Sequence, residues 1–517
     1  MPRMNRRDFL KTSAALVAGS SLAGVSRILS AAQSQKIDKP NILVFVFDAM
    51  SARHLSLYGY PRKTTPNFER FAERASVYHN HFSAGNFTTS GTASMLTGMY
   101  PWTHRAINYR GLINRSMVER NFFRLIGPEY TRFAFTQNLW ADIFLNQFER
   151  DLDIHLAPDS FSQYADSLIQ PADLHADRDL AYYVFQDFLN LRVDDVRPYP
   201  GSLFLASADL ARGLASHRPY ISAEYPRGLP TNHDFAYMNT SVFDGIGRLV
   251  QERMTQSSPY FGYFHFWSPH EPYSARKEFI GKFPDELKLQ EKPRHPLAAN
   301  SFTYQILQMY RREYDEFIAD LDAEFGQVMS SLESSGVLKD SYVILTSDHG
   351  EMFERGERGH ASALMYAPVT QIPLLISAPG QSTRVDIHSL TSNLDLLPTL
   401  LQIAGREIPD WVEGQRLPGF GGDEDANASR SIFSMVAKDN AAFRAIEHAT
   451  FAMIKGTHEL FFFTGYRDHP DSFELYDLQE DPEELHDLFS RDINTASQMK
   501  DELLEAVRTA NRNSQTK

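Results

Sequence analysis

The chain has 517 residues, enough for a large α/β domain and a smaller second domain. Its composition, with 42% apolar, 12% aromatic and 22% charged residues, is that of a globular protein and excludes wholesale disorder. The formal net charge of −14 argues against a nucleic-acid-binding protein, because phosphate contacts need basic surfaces. The absence of cysteine excludes disulfides, thiolate metal ligands and a cysteine nucleophile.

Residues 1–32 have the pattern of an export signal. Arg6 and Arg7 precede a weakly apolar stretch over residues 12–25, and small residues at 30–32 suit a signal peptidase. The pattern resembles a twin-arginine signal, which implies export by the twin-arginine translocase to the periplasm or beyond. An ordinary secretory signal or a disordered tail is the alternative. The stretch is too short and too polar for a stable membrane span, and no other run of about 18 apolar residues occurs.

The main part of the chain alternates strand and helix patterns. The unbroken apolar run at Asn41–Phe47 is typical of a fully buried parallel strand, and three later runs share its character: Tyr260–Phe266, Tyr342–Leu345 and Pro373–Ile376. Helical patterns such as Tyr310–Leu332 lie between them. This alternation predicts an α/β fold with a mixed, mostly parallel sheet sandwiched by helices.

The pattern changes near the C-terminus. Residues 410–429 are rich in Gly, Asp and Pro, which is typical of a linker or surface loop. Short strand patterns follow near 431–436, 451–455 and 459–463, and a helical pattern closes the chain near 494–511. We therefore predict a large α/β domain, of the size of a catalytic domain, over residues 38–410. A small C-terminal α+β subdomain, with antiparallel strands and a terminal helix, is predicted over residues 430–517.

Two of the buried strands are followed directly by acidic residues. Asp48 follows the first strand, and Asp348 and His349 follow the strand at Tyr342–Leu345. Because ligands bind at the carboxyl ends of strands in open α/β sheets, these side chains are placed to converge. Carboxylate oxygens with one imidazole suit a divalent cation such as Ca²⁺, Mn²⁺ or Zn²⁺, although one Asp-His pair alone is more often structural.

A third candidate element is a short helix near Ser90–Leu96, ended by Gly98. Thr88 would lie at its N-terminus, where unpaired N–H groups and the helix dipole favour an anion. A hydroxyl in that position, coordinated to a cation, becomes a nucleophile. The alternative is that Thr88 or Thr89 only caps the helix.

Several motifs together resemble the sulfatase family of the alkaline phosphatase superfamily. They cover nearly the whole chain after residue 38 in family order. The most specific are P-N-I-L-V-F-V-F-D at 40–48, T-x-x-x-x-A-S-M-L-T-G-M-Y-P at 88–101, F-H-F-W-S-P-H-E-P-Y at 264–273, T-S-D-H-G-E at 346–351 and G-H-A-S-A-L-M-Y at 359–366.

The resemblance implies roles for residues at the matching positions. Asp48, Asp348 and His349 would be metal ligands. Thr88 would be both a ligand and the nucleophile. His270 and His360 match histidines that contact the substrate anion or protonate the leaving group. His104 matches a family position at the edge of the site, which leaves both a substrate contact and a structural role open. His265 alternates within an aromatic strand, and we expect it to be a packed side chain.

The chain departs from the family pattern at the charged positions of the site. Sulfatases place a cysteine or serine where Thr88 stands and oxidise it to formylglycine, an aldehyde that threonine cannot give. The family arginine four residues later is Thr92 here, and the two usual active-site lysines are missing. Positive charge would then come from Arg105, Arg355 or Arg358, unless these residues only solvate the surface.

The resemblance therefore implies a hydrolase that cleaves an anionic sulfate or phosphate ester through a covalent Thr88 intermediate, with one divalent metal ion and no formylglycine. The substrate would be a small-molecule or glycan ester. A second metal would need His270, His360 and a carboxylate that the sequence does not identify. The alternatives are a periplasmic phosphodiesterase or phosphoryl-group transferase and, with less weight, a non-catalytic binding homologue.

Overall fold

The computed structural model describes residues 39–109, 111–162, 164–165, 223–232, 235–253, 258–284, 287, 289–422, 430–440 and 444–515. The predicted signal segment lies outside these residues, as do positions 423–429 of the predicted linker. Positions 410–422 of that linker contain no helix or strand longer than a single bridge.

The strands and helices are numbered in chain order over the described residues. The strands are β1 Asn41–Phe47, β2 Ser76–Tyr78, β3 His81–Phe82, β4 Thr131–Thr136, β5 Ile154–Leu156, β6 Tyr164–Ala165, β7 Phe235–Ala236, β8 Tyr260–Phe266, β9 Ser341–Ser347, β10 Met352–Glu354, β11 Glu357–Gly359, β12 Leu374–Ser377, β13 Val385–Ile387, β14 Thr391–Ser392, β15 Ser431–Ala437, β16 Ala449–Lys455, β17 His458–Thr464 and β18 Ser472–Asp477. The helices are α1 Pro66–Ala72, α2 Thr88–Thr97, α3 Pro101–His104, α4 Phe122–Ile126, α5 Leu139–Gln147, α6 Asn239–Arg253, α7 Tyr304–Ser334, α8 Ala367–Thr370, α9 Leu396–Ile403 and α10 Ile493–Gln515.

Eight strands form the main sheet in the order β13-β2-β12-β9-β1-β8-β4-β5. β9, β1, β8, β4 and β5 run parallel to one another. β12 is antiparallel to both of its neighbours, β9 and β2. The predicted mixed, mostly parallel sheet is therefore confirmed, and the apolar run predicted at Pro373–Ile376 is its antiparallel member.

The side chains of β1 show why its sequence is apolar throughout. Leu43, Phe45 and Phe47 pack on one face against α1, α6 and α7, whereas the intervening Val44 and Val46 pack on the other against α2, α4 and α9. A strand buried on both faces has no polar alternation, because each side chain enters a hydrophobic core. The sheet is therefore sandwiched by helices, as predicted.

A second sheet, β15-β16-β17-β18, is antiparallel throughout and precedes the terminal helix α10. Its apolar face packs with α10 and with Trp102 of α3, whose ring centroid lies 5.4 Å from that of Phe433. Gly85, just before α2, forms a parallel bridge with Met435. The C-terminal sheet thus lies directly beside the segment that leads into α2.

Candidate active site

The candidate site lies where four neighbouring parallel strands end. Asp48 follows β1, Asp348 follows β9, and Asn138 lies two residues beyond β4. The register pairs Phe47 with Phe266 on one side and with Ser347 on the other, so the residues after these strand ends meet at one edge of the sheet. This is the carboxyl edge at which open α/β sheets bind their ligands.

Asp48, Asp348 and His349 converge at this edge. One ligand atom from each lies within 4.8 Å of the others, and all three side chains are buried. His349 Nδ1 donates to the carbonyl oxygen of Gly350 at 2.9 Å, which leaves Nε2 facing the carboxylates. Nε2 is 3.4 Å from Asp48 Oδ1 and 3.6 Å from Asp348 Oδ2. A second ring nitrogen fixed in this way is usual for a metal-binding histidine.

The charges in the cluster influence one another strongly. Burial would raise the pKa of Asp48, but the nearby His270, His349 and His265 hold that pKa below its usual range. The pKa of Asp348 is raised by burial and by the neighbouring Asp48. Burial would lower the pKa of His349, but the two aspartates raise it to about 9. The site thus concentrates negative charge that needs a positive partner.

Thr88 is the first residue of α2 and is buried. Its Oγ1 lies 3.2 Å from His349 Nε2 and accepts a hydrogen bond from Asn138 Nδ2 at 3.2 Å. Phe87 occupies the N-cap position, and no side chain caps the helix there. The capping role that the sequence left open for Thr88 or Thr89 is therefore not the one in the structure, and the Thr88 hydroxyl faces the acidic cluster.

The donors present fit a divalent cation. Asp48 Oδ1 and His265 Nε2 are buried and have no hydrogen-bond partner among the described residues. A buried carboxylate oxygen without a partner is costly unless a cation or water satisfies it. Two carboxylates, an imidazole and a hydroxyl form a mixed oxygen and nitrogen set that suits the borderline and hard divalent ions. Asp48, Asp348 and His349 are the one such cluster found in the described part of the chain.

His270 and His360 lie beside the acidic cluster. The His360 ring centroid is 4.2 Å from that of His349 and 4.9 Å from that of His270. His270 Nδ1 donates to the carbonyl oxygen of Glu271 at 2.9 Å. Burial, followed by the nearby His349 and His270, lowers the pKa of His360 well below its usual value. The structure therefore brings both predicted histidines to the site.

Three residues of the site were not singled out by sequence reasoning. His265 was expected to be a packed side chain, but its Nε2 lies 3.7 Å from Asp48 Oδ2 and 3.6 Å from Asp348 Oδ2. The ring is packed in the interior as expected, but it also faces the Asp48 edge, because β8 is the direct neighbour of β1. Asn138 Nδ2 donates to Asp48 Oδ2 as well as to Thr88. Its only signal was its position after an apolar strand.

Glu351 is the third of these residues. Its Oε2 accepts from His360 Nδ1 at 3.2 Å, and the side chain is buried. Burial raises its pKa to about 7, although the nearby His270 opposes that effect. Glu351 is thus the carboxylate beside His270 and His360 that could not be named from the sequence. The T-S-D-H-G-E motif contained it, but spacing alone gave no reason to choose it.

The structure does not bring His104 and Arg105 into this cluster. His104 is fully buried; its Nδ1 accepts from the Ala106 N–H, and its Nε2 contacts Ser94 Oγ at 3.0 Å. Arg105 donates to the carbonyl oxygens of Arg444 and Ala510, both at 3.3 Å. The substrate contact considered for each residue is corrected here, because Ser94 and Ala106 hold the His104 ring, whereas carbonyl oxygens of the C-terminal region hold the Arg105 side chain.

The other two candidate arginines differ in position. Arg355 donates to the carbonyl oxygen of Glu484 and stacks 3.9 Å from the Tyr366 ring centroid, away from the acidic cluster. Arg358 donates to the carboxylate of Glu271, the residue after His270, at 2.5 Å. Arg358 therefore lies close to one of the site histidines. Thr92, which stands at the family arginine position, donates to Asp348 Oδ2 at 3.4 Å.

A buried hydroxyl at a helix N-terminus, beside two carboxylates and a group of histidines, is an arrangement suited to hydrolysis of anionic esters. The profile of the sulfatase family matches residues 40–128 and 211–406, more than half of the chain. A second profile, "N-sulphoglucosamine sulphohydrolase, C-terminal", matches residues 356–511. The chain belongs to the sulfatase family of ester hydrolases.

Individual relatives are distant. Arylsulfatase K of Xenopus laevis is 33% identical over 188 residues, which cover 36% of this chain and only 34% of that protein. The N-acetylglucosamine-6-O-sulfatase of Bacteroides thetaiotaomicron is 21% identical over 508 residues, covering 89% of this chain and 84% of the relative. The solved structure of phosphonate monoester hydrolase SpPMH from Silicibacter pomeroyi has a TM-score of 0.62 at 18% identity, covering 92% and 96% of the two chains. That likeness establishes the fold.

The N-terminal segment also matches a known pattern. The twin-arginine translocation signal profile covers residues 3–23, which supports export by the twin-arginine route to the periplasm or beyond. Within the described residues, no helix combines the length and the apolar character that crossing a membrane requires.

Proposed function

We propose that this protein is a metal-dependent hydrolase that cleaves an anionic sulfate or phosphate ester through a covalent intermediate on Thr88. The observation that carries the proposal is the position of the Thr88 hydroxyl. It lies at the N-terminus of α2, 3.2 Å from both His349 Nε2 and Asn138 Nδ2. A nucleophilic hydroxyl needs such a position, where N–H groups attract an anionic ester and neighbouring groups orient the oxygen.

One divalent cation is part of the proposal. Asp48, Asp348, His349 and Thr88 would hold it, and His265 Nε2 faces the same carboxylates. When bound, the cation would offset the charge of the ester and lower the pKa of the Thr88 hydroxyl. The oxygen-rich donor set leaves the choice among Ca²⁺, Mn²⁺ and Zn²⁺ to experiment.

In the first chemical step, Thr88 reacts as the alkoxide, after its hydroxyl proton has passed to solvent water. A bond forms between its Oγ1 and the sulfur or phosphorus atom, and the bond from that atom to the alcohol oxygen breaks. Asn138 orients the attacking oxygen through Nδ2, and the free N–H groups at the start of α2 stabilise the developing charge on the equatorial oxygens.

The departing alcohol takes a proton from His270 or His360. Each imidazole has its Nδ1 engaged, with the Glu271 carbonyl for His270 and with the Glu351 carboxylate for His360. The Nε2 of either residue is therefore the nitrogen available to deliver the proton. Glu351 holds the His360 ring through Nδ1, as a triad carboxylate orients its histidine.

Water completes the reaction. Its oxygen bonds to sulfur or phosphorus, the bond to Thr88 Oγ1 breaks, and the histidine that protonated the alcohol recovers a proton from the water. The products are the free alcohol and inorganic sulfate or phosphate. Direct attack by water is necessary because a threonine ester cannot collapse to an aldehyde, as a formylglycine hydrate does. The proposal accordingly includes no formylglycine.

The names of the relatives suggest the kind of alcohol. One relative carries the name of an N-acetylglucosamine-6-O-sulfatase and another that of an arylsulfatase, so a glycan or a small aryl ester is the proposed substrate. The second candidate is a periplasmic phosphodiesterase or phosphoryl-group transferase, which the hydroxyl nucleophile Thr88 favours because the aldehyde route is closed. Transfer to an acceptor alcohol would replace water in the second step.

Turnover measurements test the proposal. The mature protein, stripped of metal with a chelator, is supplied in turn with Ca²⁺, Mn²⁺ and Zn²⁺ and assayed with 4-nitrophenyl sulfate, 4-nitrophenyl phosphate and bis(4-nitrophenyl) phosphate. The expected result is metal-dependent turnover that Thr88→Ala abolishes and Thr89→Ala retains. Turnover of the diester alone would favour the phosphodiesterase candidate. No turnover of any ester with any of these metals would overturn the hydrolase proposal.

A further inference from the structure

A pocket of about 320 Å³ is lined in part by residues that adjoin the candidate nucleophile Thr88 in sequence. Asn86 and Phe87, which directly precede Thr88, form part of its wall, and so do Ala361 and Ser362, which directly follow His360. Another part of the wall comes from the end of β15, with Val436 and Ala437, and from Lys438, the residue after it. Two segments of the pocket wall therefore adjoin the nucleophile and a candidate proton donor in the sequence. Its volume is in the range of small-molecule sites.

One residue of the pocket wall, Asn86, has a polar atom without a hydrogen-bond partner among the described residues. Asn86 Nδ2 donates to the carbonyl oxygens of His360 at 2.7 Å and of Ser362 at 2.8 Å. Because only the amide nitrogen can donate to two carbonyls, these bonds fix the orientation of the Asn86 amide. Its Oδ1 is buried and accepts no hydrogen bond from the described residues. A buried acceptor of this kind suits a ligand that brings a hydroxyl or N–H donor.

Lys438 brings the positive charge to this pocket. Its side chain is exposed, its ammonium lies 5.3 Å from the ring centroid of Tyr466, and no carboxylate of the described residues forms an ion pair with it. The Lys438 carbonyl accepts from Asn108 Nδ2 at 2.8 Å, and Asn440 Oδ1 accepts from the Asn108 N–H at 2.8 Å. These hydrogen bonds connect the segment at Lys438 to Asn108 in the α/β part of the chain. The ammonium is thus held near the pocket but remains available to an anion.

We infer that this pocket binds the alcohol part of the ester and that Lys438 selects alcohols carrying a second anionic group, such as a carboxylate or another sulfate. The inference rests on the proposed function, because it assumes that an ester reacts at Thr88. Phe87 and Ala361 give the pocket an apolar wall for a ring, and Lys438 supplies a positive charge. The unpartnered Asn86 Oδ1 belongs to a residue of the same wall. This combination matches an acidic sugar or an acidic aryl alcohol rather than a neutral one.

Two esters of nearly equal shape test the inference: 4-carboxyphenyl sulfate and its neutral counterpart, 4-carbamoylphenyl sulfate, with the two matching phosphates as a second pair. The measured quantity is the ratio of kcat/KM for the carboxyl ester to that for the amide ester. Lys438→Gln should lower this ratio about two- to fivefold, the range expected for an exposed ion pair. Lys438→Arg should keep the ratio, and Lys438→Glu should lower it further.

Lys500→Gln is the matched control, because the Lys500 ammonium also lies over an aromatic ring of the C-terminal region, 4.8 Å from the Phe473 centroid. This control should leave the ratio unchanged. An equal fall of both kcat/KM values in Lys438→Gln, or an unchanged ratio, would overturn the inference.

Binding separates this inference from the proposed function. Isothermal titration of the same esters into Thr88→Ala, with and without Lys438→Gln, needs no turnover. If the wild-type protein hydrolyses neither ester, the proposed function fails, and the inference then stands or falls on this titration. Tighter binding of the carboxyl ester that disappears with Lys438→Gln supports the pocket. Equal binding of the two esters in both variants contradicts it.

Discussion

Asn138 connects the proposed nucleophile, Thr88, to a proposed metal ligand, Asp48. Its Nδ2 contacts both Asp48 Oδ2 and Thr88 Oγ1, so it orients the nucleophile relative to a metal ligand. Asn138→Ala should lower kcat about 100-fold with little change in KM, as expected when one preorganised donor is removed. Steady-state kinetics with an aryl ester measure this. Asn146→Ala, on the following helix, is the control, and an unchanged kcat in Asn138→Ala would contradict the positioning role.

The choice between His270 and His360 as proton donor is also decided at the scale of single residues. Removal of a general acid slows esters of weakly acidic alcohols far more than esters of strongly acidic ones, because only the former need a proton on leaving. If His270 or His360 is the proton donor, its change to alanine should lower kcat/KM for the phenyl ester about 10- to 100-fold more than for the 4-nitrophenyl ester. Equal losses for both esters in both variants would show that neither histidine is the acid.

At the scale of elements, helix α2 packs directly onto the strand end that carries Asp348. A Cβ on Gly91 would lie 2.3 Å from the Asp348 carbonyl oxygen, closer than real Cβ atoms approach backbone. At a solvent-exposed position in the interior of a helix, a change from glycine to alanine stabilises the fold by about 1 kcal/mol. Here Gly91→Ala should instead lower the melting temperature and weaken Mn²⁺ binding measured by titration, because the helix must move from Asp348. A melting temperature at or above wild type would contradict this packing.

At the scale of the whole molecule, a buried carboxyl pair joins the C-terminal sheet to the catalytic part. Glu484 accepts from the Ala367 N–H at the start of α8, and the buried Glu459 on β17 is an electrostatic neighbour of Glu484. Burial raises the pKa of Glu484 to about 7, although Arg355 and Lys292 lower it. Burial and Glu484 raise the pKa of Glu459 well above its usual value.

This pair predicts a pH dependence of stability. Because the folded pKa values are raised, the stabilising protonated form is fully present below the unfolded pKa of about 4.3 and is lost as the pH rises through about 7. Glu459→Gln removes the like-charge repulsion, so its melting temperature should exceed that of wild type at pH 8 and match it near pH 5. The exposed Glu407→Gln serves as control. Parallel melting curves for wild type and Glu459→Gln across this range would contradict the account.

Much of the fold and of the candidate site can be predicted from the sequence, for physical reasons. Strand β1 was predicted at its observed ends because burial on both faces leaves an unbroken apolar run. Asp48 and Asp348 were found because strand ends converge in a parallel sheet. His265 was missed because its role depends on which strand neighbours β1, and Glu351 because its role depends on a contact with His360. Strand order and side-chain contacts between distant segments have no signature in local pattern.

The most direct test of the central claim is the intact mass of the mature protein, quenched during turnover of an aryl sulfate or an aryl phosphate. The account predicts an adduct of about 80 Da, located on Thr88 by peptide mapping, as expected for a covalent sulfuryl or phosphoryl intermediate. The adduct should be absent from Thr88→Ala and retained in Thr89→Ala. Turnover that persists in Thr88→Ala, or an adduct on another residue, would contradict Thr88 as the nucleophile.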